Sequence, residues 1–204
     1  MTWEVDGLFV KVCGLGSPDD VSVAADAGAD AAGFVWWERS PRHRELDEIR
    51  SLAGLSPLTS VLVTVDLDSE TLLAAAARAG VDAVQPHGRH AAVAAATARR
   101  MGFGVIRPVP AGDVPADLAD DDLLLVDTPD ADLPGGTGRP FDWALASDVG
   151  RSFLLAGGLG PDNVADAVRR VRPFGVDASS GLESSPGVKD ADLIRRFVEE
   201  AKQA

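Results

Sequence analysis

Gly28-Ala29-Asp30-Ala31, Gly80-Val81-Asp82-Ala83 and Gly175-Val176-Asp177-Ala178 are three copies of one tetrapeptide, G-[AV]-D-A, spaced 52 and 95 residues apart. Each copy follows a helical-looking stretch and precedes a short apolar run. A glycine at that point suits the left-handed residue that closes a helix, and the residues after it open a strand. With about 25 residues in one helix–strand unit, the copies lie two and four units apart, and 204 residues hold about eight.

Working outward from the repeats, eight apolar runs read as strands: Leu8–Val12, Ala31–Trp36, Ser60–Val65, Ala83–Gln85, Gly104–Arg107, Leu123–Val126, Phe153–Ala156 and Val176–Ala178. Helices are predicted over Pro18–Ala27, Leu46–Ala53, Ser69–Ala79, Ala91–Arg100, Phe141–Ala146, Pro161–Val171 and Asp190–Lys202. Ser17-Pro18 and Gly160-Pro161 are typical helix openings. The span Pro108–Asp122 is too short and too rich in Pro and Asp for a full helix. Few of the runs alternate with period two, so the strands are expected to be buried on both faces. Regular alternation of this kind gives an α/β protein with a parallel sheet. We expect a single (β/α)8 TIM barrel, with residues 1–204 forming one catalytic domain. An open doubly wound sheet is the alternative, weakened by the lack of a G-x-G-x-x-G after the first strand.

Composition narrows the classes of function. Apolar residues make up 46% and charged residues 25%, as in ordinary folded domains. No apolar run approaches the roughly 18–20 residues of a membrane helix. The start of the chain lacks the basic and apolar pattern of a secretory signal. The one cysteine, Cys13, can form no internal disulfide, and no Cys/His cluster has zinc spacing. These features predict a cytoplasmic protein that needs no metal and has no membrane partner. The net charge is −13, from 32 acidic and 19 basic residues, which makes nucleic acid a poor partner. Among the acids are 24 Asp to 8 Glu, and 16 Arg stand beside 3 Lys. That balance fits either a surface adapted to a salty interior or a GC-rich genome. No apolar stripe specifies an assembly, so a monomer or a homodimer is expected.

In a barrel, chemistry gathers where strands end. Those positions hold Cys13-Gly14, then Arg39, Ser40-Pro41-Arg42 and His43, then Gln85-Pro86-His87-Gly88, Arg107 and Asp127. Later come Gly135-Gly136-Thr137-Gly138, Gly157-Gly158 and Ser179-Ser180-Gly181. Gly157-Gly158-Leu159-Gly160-Pro161, running into a helix, and Ser180-Gly181 after the last strand together suit a phosphate, although tight turns also use glycine for steric reasons alone. Cys13 and Asp127 are the titratable pair facing the centre, either a base and an acid or a buried thiol and a cap. A basic neighbour, Lys11 or Arg42, would make the thiol a better base. Arg42 could fork onto a carboxylate or form a surface ion pair. His87 has a structural reading beside a binding one, and Trp36 and Trp37 could wall an aromatic site.

Together these strings resemble phosphoribosylanthranilate isomerase of tryptophan biosynthesis. The resemblance rests on Lys11-Val-Cys13-Gly14, Gly28-Ala-Asp30-Ala-Ala-Gly33-Phe34-Val35, Ser40-Pro41-Arg42 and Val84-Gln85-Pro86-His87-Gly88. It continues through Asp127, Gly135-Gly136-Thr137-Gly138, Phe141-Asp142-Trp143 and Ala156-Gly157-Gly158-Leu159 with Pro161-Asp162-Asn163-Val164, and ends in Asp177-Ala-Ser179-Ser180-Gly181-Leu-Glu183-Ser184-Ser185-Pro186-Gly187-Val-Lys189-Asp190. It implies a (β/α)8 barrel and a cofactor-free, metal-free Amadori rearrangement of N-(5′-phosphoribosyl)anthranilate to 1-(2-carboxyphenylamino)-1-deoxyribulose 5-phosphate. By the same resemblance Cys13 is the general base and Asp127 the general acid. Arg42, His87, Gly157, Gly158, Ser180 and Gly181 then form the substrate-binding set, with Arg42 on the anthranilate carboxylate and the glycine-rich turns on the phosphate. Gly16-Ser17, Thr64-Val65-Asp66 and Pro86 depart from the family's usual residues and bear on the shape of the first and fourth loops. The rivals are the histidine-pathway isomerase of a similar aminoaldose, which normally uses two carboxylates, and a non-catalytic phosphate binder, which needs neither Cys13 nor Asp127.

Overall fold

The computed structural model describes residues 3, 5–55, 57–110, 115, 118–120, 122–127 and 149–204. Eight parallel strands close into a barrel in chain order: β1 (Phe9–Cys13), β2 (Ala31–Trp36), β3 (Thr59–Val65), β4 (Ala83–His87), β5 (Gly104–Pro110), β6 (Leu123–Asp127), β7 (Phe153–Leu155) and β8 (Gly175–Ala178). Around them lie α1 (Pro18–Asp26), α2 (Leu46–Ala53), α3 (Ser69–Ala79), α4 (Ala91–Arg100), α5 (Val164–Val171) and α6 (Ala191–Lys202). After β8 a single 3-10 turn, Ser180–Leu182, leads into a small antiparallel hairpin of β9 (Glu183–Ser185) and β10 (Val188–Lys189). The predicted helix over Phe141–Ala146 and the Gly135–Gly138 motif fall outside the described residues. Among the described residues no helix is long and apolar enough to cross a membrane.

Each strand is buried on both faces because one face meets the helices and the other the barrel interior. The outer core joins Val10, Val12, Phe34, Leu62 and Leu124 to helical Ile49, Leu72 and Phe197. Inside, Phe9, Ala31, Val61, Ala83, Ile106, Leu123 and Leu154 plug the end of the barrel where the strands begin. Trp3 and Phe174 close that end against Phe9, edge-on at 5.9 Å and stacked at 5.7 Å between ring centroids. The other end, where the strands finish, is left for polar groups.

The G-[AV]-D-A copies do two different things. Gly80 is the left-handed cap of α3 at φ 64°, and Gly28 follows α1 at φ 90°. Their aspartates sit just before β2 and β4 and fasten the start of a neighbouring strand. Asp30 Oδ2 accepts the Val10 N–H at 2.7 Å, and Asp82 Oδ2 accepts from the Ser60 N–H at 2.9 Å and the Ser60 hydroxyl at 2.6 Å. Asp30 also takes the Lys202 ammonium at 2.7 Å, which reaches the Leu8 carbonyl at 2.8 Å. The third copy breaks the pattern: Gly175 already lies in β8, and Arg172, at φ 51°, closes α5 in its place. Gly175 is needed because a side chain there would strike Phe9 and Leu154. The shift carries Asp177 off the rim and into the barrel.

β4 and β5 run beyond the expected Gln85 and Arg107, to His87 and Pro110. β5 continues through Pro108 to Pro110 in register with β6, although two prolines suggest a turn. Pro86 lies beside Thr64 in the β3–β4 register, so two of the departures noted above are neighbours. The β4–β5 register runs only through Ala83 and Val84, ending before that proline.

Candidate active site

Three inward side chains of β1 rise in order: Phe9 in the plug, then Lys11, then Cys13. Lys11 is fully buried and donates to Asp177 Oδ1 at 2.7 Å. The two are direct partners in the β1–β8 register, so the strand pairing itself brings the charges together. Burial pulls the Lys11 ammonium down, but Asp177 and Cys13 outweigh it and hold the group above its ordinary range. Burial raises the Cys13 thiol; the charges of Lys11 and Lys189 oppose that, Asp177 reinforces it, and the net direction is upward. Beside them Gly33 leaves the necessary room: a Cβ there would lie 2.9 Å from Cys13 Sγ and 3.2 Å from Lys11 Nζ.

Above this floor opens a cavity of about 610 Å³, the size of a small-molecule site. Val35, Val63, Val65, Leu125 and Trp37 supply its apolar wall. Gln85 and His87, inward on β4, supply a polar one. Their Nε2 atoms are 3.0 Å apart, so with the amide donating, the ring nitrogen accepts. Burial, then the charge of Lys11, drives the His87 pKa down to about 4, leaving a neutral imidazole. Gln85 Oε1 is buried without a hydrogen-bond partner among the described residues. Asp127, the last residue of β6, joins the lining from a wall that β7 and β8 separate from Cys13.

The rim has two anion-friendly sides. On one, Arg42 lies over Gly14, and Glu183 of β9 holds its guanidinium in a fork, 2.6 Å to Nε and 2.8 Å to Nη2. Glu183 thereby occupies the Nε–Nη2 edge of an arginine that also lines the cavity. Burial raises the Glu183 carboxyl, but Arg42 and Lys189 more than reverse this, so it stays ionised. On the other side are Gly157 and Gly158, both at positive φ (91° and 65°), with Ser179 and Ser180. Asn163 braces that turn, accepting the Gly160 N–H and donating to the Gly158 carbonyl, both at 2.9 Å.

Residues 10–200 match the model of the N-(5′-phosphoribosyl)anthranilate (PRA) isomerase family. The chain belongs to that family. It is 42% identical over 202 residues to the N-(5′-phosphoribosyl)anthranilate isomerase of Rubrobacter xylanophilus, covering 95% of this chain and 98% of that one. The structure of monomers made from the dimeric Thermotoga maritima phosphoribosylanthranilate isomerase matches with TM-score 0.82 and 32% identity, covering 97% and 100% of the two chains. A phosphoribosylanthranilate isomerase in complex with reduced 1-(o-carboxyphenylamino)-1-deoxyribulose 5-phosphate matches with TM-score 0.81 and 31% identity, over 97% and 100%.

Within this isomerase barrel, Cys13, Asp127, Arg42, His87, Gly157, Gly158 and Ser180 all line the same cavity. Gly181 does not. It sits behind the rim, where a side chain would run into the Leu159 carbonyl. Nor does the Gly157 turn run straight into a helix, because Pro161–Asn163 form a turn before α5 begins at Val164. Arg107 leaves the barrel and donates to the Ala92 carbonyl at 3.4 Å. Trp37 lines the cavity, whereas Trp36 packs on the outer core. Asp177, Gln85, Glu183 and Lys189 were not singled out as site residues from sequence. For Gln85 the signal is strand alternation, since it shares the inward face of β4 with His87; Asp177 alternates with Gly175 and Ser179, neither of them in the substrate-binding set. For Glu183 and Lys189 there was no local signal.

Proposed function

We propose that Cys13 is the general base and Asp127 the general acid in the rearrangement of N-(5′-phosphoribosyl)anthranilate to 1-(2-carboxyphenylamino)-1-deoxyribulose 5-phosphate. The observation that carries this reading is the shared cavity. A thiol and a carboxyl enter it from different walls, between an arginine fork and a paired glycine–serine turn. Protonated Asp127 gives its proton to the ribose ring oxygen, the C1′–O bond breaks, and a protonated Schiff base forms. Cys13, as thiolate, then takes the C2′ proton. The electron pair moves into the C1′–C2′ bond and neutralises the iminium, giving an enolamine that tautomerises to the ketone. In both steps the protein supplies only proton transfer while the bonding electrons rearrange within the substrate, so the scheme calls on no cofactor or metal.

The floor supports that division of labour. Lys11, kept charged by Asp177, favours the thiolate form of Cys13 against burial. Arg42 takes the anthranilate carboxylate, and the Gly157–Gly158 and Ser179–Ser180 turns take the phosphate. Neutral His87 offers a hydrogen-bonding group to the sugar without adding a charge beside Lys11. To test the scheme, phosphoribosylanthranilate is generated in situ and the loss of its fluorescence is followed. Wild type should remove it rapidly. Cys13→Ser and Asp127→Asn should each lower kcat by about two to four orders of magnitude while still binding a product-like phosphate. Turnover unchanged in either variant refutes that residue's role.

A further inference from the structure

Four hydrogen bonds converge on the Glu183 carboxylate, two on each oxygen. Oε1 accepts from Arg42 Nε at 2.6 Å and Lys189 Nζ at 2.7 Å; Oε2 accepts from Arg42 Nη2 at 2.8 Å and the Gly187 N–H at 3.1 Å. Lys189 Nζ also donates to the Ser179 carbonyl at 2.9 Å. The side chains of Glu183 and Lys189 are 4% and 1% exposed, so the ion pair is shielded from screening. One continuous chain of contacts thus runs from Arg42 through Glu183 and Lys189 to the turn after β8.

We infer that Glu183 and Lys189 are positioning residues that set the carboxylate end and the phosphate end of the site as one unit. The inference rests on the assignment of Arg42 and the Ser179–Ser180 turn to those two ends. Three features favour it over a simple hairpin staple. Glu183 takes the Nε–Nη2 edge of Arg42 and so limits which edge is open to an anion. Arg42 and Ser179 share the space over Gly14, where a Cβ would lie 2.6 Å from Arg42 Cδ and 3.2 Å from Ser179 Oγ, so the two ends of the site adjoin there. The trio of Arg42, Glu183 and Lys189 carries one surplus positive charge, which an anionic ligand can neutralise. Lys189 itself does not line the cavity, so its part is to hold other groups in place.

The test uses Glu183→Gln, Lys189→Met and the double variant, with two readouts: kcat and KM for phosphoribosylanthranilate, and the dissociation constant of inorganic phosphate by calorimetry. Each single variant should raise KM about tenfold or more, with a far smaller fall in kcat, because a partner of a buried, hydrogen-bonded charge is lost. Each should also weaken inorganic phosphate several-fold, although Glu183 lies at the other end. Lys189→Arg, which keeps the charge, should recover part of both losses. The double variant removes the buried Glu183–Lys189 pair together, leaving only the partly exposed Arg42 guanidinium charged, and keeps the test decisive where a single variant fails to fold. Phosphate affinity unchanged in a folded Glu183→Gln or double variant overturns the coupling, as does a loss confined to kcat. The phosphate titration needs no turnover. A wild type that fails to isomerise phosphoribosylanthranilate would therefore count against the proposed reaction alone, and the titration would still decide the coupling.

Discussion

Replacing Gly33 by alanine tests how tightly the base is held. The added Cβ would lie 2.9 Å from Cys13 Sγ, 3.1 Å from Cys13 Cα and 3.2 Å from Lys11 Nζ. Carbon atoms pack best at roughly 3.5–4.0 Å, and sulfur is larger, so the neighbours must separate by up to about 1 Å. The Cys13 Cα is backbone inside β1, paired to Gly33 itself, and has little freedom to retreat. Gly33 is not at positive φ, so strain from an unusual backbone does not confuse the result. Overpacking of this kind costs about 1–3 kcal/mol, a fall in Tm of roughly 2–12 °C for a chain of this size. A misplacement near 1 Å of a reacting group lowers turnover about 100-fold. We expect Gly33→Ala to melt within that range of wild type and to show kcat reduced about 100-fold in the fluorescence assay. A folded variant with kcat within about threefold of wild type would show that the Cys13–Lys11–Gly33 contact does not set the reaction geometry.

Three further outcomes are expected. Lys11→Met, made with Asp177→Asn so that no lone charge is buried, removes the ammonium that opposes the upward push of burial on Cys13. The acidic limb of kcat/KM should then move to higher pH, and a limb that stays in place refutes the role of Lys11. His87 is neutral in the fold because its pKa is pushed down to about 4 from the ordinary 6.5. The unfolded chain therefore binds the extra proton first, and stability falls as pH drops from about 6.5 to 4 and levels off below. Urea unfolding should lose roughly 1–3 kcal/mol over that window, and His87→Gln should remove that part of the slope; an unaltered slope would show that other groups carry it. With a net charge of −13, screening of self-repulsion should raise Tm between low and molar NaCl. A flat Tm would leave nucleotide composition as the better account of the acidic surface.

Where local rules suffice, sequence and structure agree closely. Leu46–Ala53, Ser69–Ala79, Ala91–Arg100 and the second strand, Ala31–Trp36, are found with the residues expected. Their caps and periodicity are local properties. The errors have tertiary causes. β5 runs on into Pro108 and Pro110 because pairing with β6 keeps the chain extended, which outweighs the proline signal. The last strand begins one residue before the expected Val176, taking in Gly175, which fits against Phe9 where a side chain would not. That Cys13 and Asp127, and Arg42 in the loop after β2, come to one cavity is legible because strand ends and the loops that follow them converge in a barrel. The partner of Arg42 is not, since Glu183 lies 141 residues away in sequence and only closure of the ring brings them together.

The clasp of Lys202 on Leu8 and Asp30 has a topological consequence. Residues near the two extremes of the chain meet on one rim, so the order in which the eight strands are read is not fixed by the packing. A short flexible linker joining those extremes, with new ends opened at Gly102, would yield a permuted chain with the same neighbours around the ring. Gly102 is suited to the cut: it is exposed, lies in the turn between α4 and β5, and has open space where a side chain would project. What such a permutation changes is the sequence distance each contact must span. It would therefore alter the rate at which the barrel closes more than the site it encloses.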